Sequence, residues 1–167
     1  MPSFRHSTRI ALVAAPLATL AGVAVPAAGA ARAGFCKLLS ARQLAAVHVT
    51  RACTQGKSIP FKHQGTTVAT IVVVKWGHTG VVVADVYAVN PAYVSLAKAK
   101  FDVGGPSAGV GDWSRFKGFA NGKTDARLLF GVGNYVVDLD VSMPPNRPLK
   151  SEQQIVKLAT AIAGHLR

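Results

Sequence analysis

Asp138 and Asp140 stand two residues apart in Tyr135-Val136-Val137-Asp138-Leu139-Asp140-Val141, where Tyr135, Val137, Leu139 and Val141 alternate with the other set. In a strand that spacing puts both carboxyls on one face. Carboxyls so placed can divide general acid and base work, or hold a hard cation. With His78 in the turn Gly77-His78-Thr79-Gly80 they outline one reading, a secreted hydrolase built on the second hairpin. Outward acids on an amphipathic strand more often serve solvation, and the sequence is read that way. His48, His63, His78 and His165 form no His-Glu-x-x-His, so no metal site is expected. Gly109-Val110-Gly111-Asp112 and Gly131-Val132-Gly133-Asn134 complete neither a dinucleotide fingerprint nor a P-loop, and no Gly-x-Ser-x-Gly elbow occurs. The expectation is a non-catalytic chain without a cofactor.

A different chemistry is written in Trp113, Arg115, Lys117, Lys123 and Arg127, with Phe116 and Phe119 interleaved. Basic and aromatic side chains together suit an anionic envelope polymer, a lipid or a protein partner. Asp112 and Asp125 dilute the charge, so a solvated basic face is the competing reading. Specific nucleic-acid binding is not expected, because no recognition motif accompanies the charge. Trp113 to Phe119 is expected to lie in a loop, and Trp76 to fill core.

Cys36 and Cys53 are the only cysteines. In an exported chain an even count reads as a disulfide. Closing a loop of this size stabilises by about 3 kcal/mol in the chain-entropy model. Export itself is read from residues 1–33. Arg5, His6 and Arg9 precede an apolar stretch from Ile10 to Val25, and then come Ala28-Gly29-Ala30 and Ala31-Arg32-Ala33. That order is a signal peptide's, with cleavage after Ala33 or Ala30. The stretch is shorter than the roughly 20 residues of a spanning helix, and no membrane-spanning helix is expected after cleavage. Bulky Phe35 before Cys36 breaks a lipoprotein signal. Removing Arg5, Arg9 and Arg32 leaves 16 basic residues against 7 acids, a charge of +9 that favours polyanions. Residues 34–167 suit a single domain that is secreted and extracellular, or held at the cell wall.

The elements that must position these groups are legible in part. Ser40-Ala41-Arg42-Gln43 is a capping box for a helix over Ala41 to His48, with Leu44 and Val47 inward. Thr66 to Trp76 is a β-branched strand, and Val81 to Val89 returns from the glycine turn as its hairpin partner, with Asp85 exposed. Asn90-Pro91 opens a second helix with Tyr93, Val94, Leu96, Ala97 and Phe101 on its apolar side. Leu128 to Val141 is a second hairpin. Ser151 to Gln154 is another capping box, and Ile155, Leu158, Ala159, Ile162 and Leu166 form a core-facing helical stripe. Arg51 to Phe61 adds an edge strand at most. The expected class is α+β: an antiparallel sheet of about four to five strands with two or three helices packed on one face.

Cys36-Lys37-Leu38-Leu39-Ser40 resembles the Cys-x-Leu-Leu-Ser/Thr opening of a group of small actinobacterial secreted proteins and lipoproteins of unknown function. Cys53, Gly109-Val110-Gly111-Asp112 and the Ala-rich closing helix fall in that group's order, over nearly the whole mature chain. The chain departs from the group in lacking a lipobox and in carrying Gln55 where many relatives have an aromatic residue. The resemblance implies an α+β cell-envelope domain, similar in shape to extracellular sensor domains, that acts as a binding module. It implies no catalytic residue.

Overall fold

Runs of β-branched residues dominate the sheet, because stiff side chains branched at Cβ pack well on a pleated surface. A computed structural model describes residues 34–167; the leader expected at residues 1–33, with its cleavage sites, lies outside the described residues. Seven strands form one antiparallel sheet. They are β1 (Cys53–Gln55), β2 (Ile59–His63), β3 (Thr66–Trp76), β4 (Val81–Val89), β5 (Trp113–Ala120), β6 (Asp125–Val132) and β7 (Tyr135–Ser142). The order across the sheet is β1-β3-β4-β7-β6-β5, and β2 also pairs with β3. β1 takes the stretch Val74 to Trp76 and β2 the stretch Thr66 to Ile71, so the two short strands share β3.

The strand count exceeds the four to five expected, for two local reasons. Arg51 to His63 supplies two short strands rather than one edge. Trp113 to Phe119, expected as loop, falls within the edge strand β5. A register shift between Phe116 and Gly118 breaks its two-residue alternation, which hides the strand in the sequence.

The helices are α1 (Ala41–Ala45), α2 (Val94–Phe101) and α3 (Glu152–Leu166). They do not share one face. Alternation along β3, β4, β6 and β7 turns Val74, Val82, Phe130 and Leu139 toward one side, where they form the main core with Leu44 of α1 and Ile155, Leu158 and Ile162 of α3. α2 lies on the other side, where Val94 and Ala97 pack with Ala69, Val89 and Val136. The crossover from β4 to β5 carries α2 beneath the sheet, a placement that the helix's own apolar pattern does not encode.

Caps explain where the helices begin. The Ser40 hydroxyl accepts from Gln43 N at 3.3 Å and Ser40 N donates to Gln43 Oε1 at 2.7 Å, so the capping box forms. α1 is shorter than expected; it stops at Ala45, and His48 turns the chain at φ 57°. Asn90 accepts from Ala92 N at 3.1 Å, but Pro91–Tyr93 is a 3-10 turn before α2 starts. Ser151 makes no side-chain cap on α3. Gln154 instead accepts from Lys150 N at 2.6 Å and donates to Ala46 O at 3.2 Å, which ties α3 to the end of α1.

Cys36 and Cys53 form the expected disulfide. It joins the 3-10 turn Phe35–Leu38 to the start of β1. Beside it the fully buried Trp76 donates from Nε1 to Cys36 O at 3.2 Å, so its polar atom is satisfied within the core. Among the described residues no helix is long and apolar enough to cross a membrane.

Candidate functional site

Two regions of the α2 face combine polar or aromatic side chains with accessible surface. The first is electrostatic. Asp85 of β4 stands directly opposite Asp138 of β7, and the next row places Asp140 opposite Arg127 of β6. Asp138 is not solvated as its spacing suggested: it is 5% exposed. Arg127 explains how a carboxylate can lie there. Its Nε donates to Asp138 Oδ1 at 2.8 Å, its Nη2 donates to the other oxygen, and Asp140 stands 3.8 Å from Nε. A guanidinium's planar fork satisfies both carboxylate oxygens at once.

One arginine faces three acids, and the proton affinities of Asp85 and Asp140 reflect the crowding. Burial, and then the Asp138 charge, hold the Asp85 carboxyl above its ordinary range, with Arg127 opposing. Asp140 is raised for the same reasons in the same order. Asp85 is therefore half-buried and strained electrostatically, rather than an exposed interruption of its strand. His78 sits exposed in the β3–β4 turn and shares no hydrogen bond or ion pair with Asp138 or Asp140. Among the described residues no cluster of three His, Cys, Asp or Glu fits a metal ion.

The basic and aromatic residues of β5 and β6 do not form one patch. Arg115 pairs with Asp102 at 2.9 Å, and Arg127 is engaged by Asp138. Lys117 donates to the carbonyls of Val103 and Gly104, which holds the loop after α2. Lys123 lies 5.9 Å from the Phe119 ring, and that ring packs against the main core rather than the α2 face. The indole of Trp113 covers Gly131, where a Cβ would fall 2.1 Å from its Nε1.

The second region joins segments that the sequence does not bring together. An apolar cavity of about 130 Å³ opens between α2, β2 and the near ends of β3 and β4. Ala69 and Val89 form its floor, and Leu96 and Ala97 of α2 its roof. Phe61, Tyr87 and Phe101 supply aromatic walls: Phe61 meets Tyr87 edge-on at 6.5 Å, and Tyr87 meets Phe101 at 5.5 Å. At the rim stand His63 and Lys100, whose Nζ is 5.8 Å from the Phe61 ring.

The signals for this site were present but assigned elsewhere. Tyr93, Leu96, Ala97 and Phe101 belong to the apolar side expected of α2. Leu96 is nevertheless 54% exposed and lines the cavity rather than joining the small core under α2. Phe61 belonged to a segment scarcely legible as a strand. Compared with known proteins, the chain matches no family model, no curated protein and no solved structure.

Proposed function

We propose that the chain is a non-catalytic binding module of the cell envelope, exported and trimmed at Ala30 or Ala33, with the cavity under α2 as its ligand seat. The carrying observation is an accessible apolar cavity lined by aromatic rings on the side of the sheet away from the main core. Ligand sites are commonly concave, apolar and edged by a few polar groups. The disulfide is compatible with an extracellular location. The basic residues Arg115, Lys117, Lys123 and Arg127 remain a secondary contact for an anionic polymer, lipid or protein. Two of them already pair with carboxylates, which weakens that surface relative to the cavity.

The hydrolase reading draws support from Asp85 and Asp138, two opposed carboxyls of unequal surroundings. Against it stands Arg127, which occupies both oxygens of Asp138. A neutral probe tests the ligand seat. Titrating n-hexanol should shift the backbone amide signals of Ala69, Val89 and Ala97, and Ala97→Phe should abolish the shifts by filling the space. Unperturbed amides at high probe concentration would refute the seat.

A further inference from the structure

We infer that this cavity takes a small amphiphilic carboxylate, its apolar body between the aromatic walls and its carboxylate against Lys100; the inference rests on the cavity being the ligand seat.

Size limits the body first. The cavity measures about 130 Å³, and a dry protein cavity of about 150 Å³ accepts benzene. A ring or a short branched chain fits, and a full lipid acyl chain does not. The walls favour such a group. Phe61 and Tyr87 meet at 87° and Tyr87 and Phe101 at 48°, so the rings are not stacked on one another. Edge and tilted arrangements also suit a further aromatic guest. Apolar surface continues outside the mouth, since Ile59 lies two residues before Phe61 on the same strand face and is 57% exposed.

The rim decides the head group. No carboxylate lines the cavity, whereas Lys100 and His63 do. The acid nearest in sequence to Lys100 is Asp102, and Arg115 engages it at 2.9 Å. Among the described residues Lys100 makes no ion pair, and its Nζ lies 5.8 Å from the Phe61 ring. A cationic guest is the natural rival, because aromatic walls attract ammonium groups. Here Lys100 already stands over one of those walls and would repel a second cation.

Three compounds with one body and different heads separate these cases: 4-phenylbutyrate, 4-phenylbutanol and 4-phenylbutylamine, titrated calorimetrically into the disulfide-intact protein. Lys100 is exposed, so its pairing is worth no more than a surface ion pair. The acid should bind about threefold to fivefold more tightly than the alcohol, and about tenfold more tightly than the amine. Lys100→Gln should erase the acid's advantage over the alcohol, with an unchanged far-UV circular dichroism spectrum reporting that the variant is folded. Equal binding of acid and alcohol, or an advantage that survives Lys100→Gln, overturns the inference while leaving the ligand seat intact. Tightest binding by the amine overturns it in favour of a cation cage. If none of the three binds and n-hexanol is also silent, the ligand seat falls and this inference with it.

Discussion

Arg127 is the residue on which the α2 face depends. Asp138 can be buried only because a guanidinium spans both its oxygens. Removing one partner of such a pair leaves the other charge uncompensated. Arg127→Ala should cost about 2–4 kcal/mol in urea unfolding, on the low side for a buried pair because Arg127 is half exposed. Asp140→Ala, at a half-exposed position 3.8 Å from the Arg127 Nε, should change stability by no more than about 0.5 kcal/mol. Similar costs for the two variants would contradict this division of roles. Asp85 carries the opposite sign. Its carboxyl is held above its ordinary range by burial and by Asp138, so ionisation weakens the native state. The stability gained from a neutral Asp85 is complete below its unfolded value, about pH 3.9, and is lost as pH rises through the raised native value. Asp85→Asn should therefore melt above the wild type at pH 7, with the gap closing near pH 4. A variant no more stable than wild type at pH 7 would remove the argument.

At the scale of elements, the glycine loop after α2 has a structural duty. Gly133 N donates to Asp112 Oδ2 at 2.7 Å, and Ser114 Oγ accepts from the amides of Ala108 and Val110 at 3.1 Å each. Gly111, at φ 64°, approaches so closely that a Cβ would lie 2.2 Å from Gly131 O. The Gly-Val-Gly-Asp turn thus clips the β6–β7 hairpin to the start of β5. The disulfide does comparable work at the other side of the sheet, where β1 is only three residues long. So short a strand gains little from its own ladder. Cys36→Ser with Cys53→Ser should lower the unfolding free energy by about 3 kcal/mol, measured by denaturant titration. Loss of the cross-strand signals between Cys53 and Trp76 should accompany it. Full retention of stability would show that the core alone holds β1.

At the scale of the molecule, β4 and β7 lie inside the sheet and are joined over eight register pairs although α2, β5 and β6 separate them in the chain. Pairing of this kind forms only with the whole fold. Amides of β4 and β7 should exchange with solvent slowest, at the global unfolding free energy, while those of β2, a short strand with no buried residue, exchange first. Faster exchange in β4 than in β2 would mean that the sheet opens from its centre. What the sequence by itself determined is local. The Ser40 capping box, the Val-rich hairpin, the stripe Ile155, Leu158, Ala159 and Ile162, and the cysteine pair all rest on periodicity, caps or composition within short segments. Tertiary structure alone decided which face each helix covers, that Asp138 is buried against Arg127, that Trp113–Ala120 is a strand, and that α2 roofs a cavity with Phe61. Each of these joins segments far apart in the chain. A residue's alternation records only that one side is buried, whereas the partner that buries it is chosen by the packing of the whole sheet.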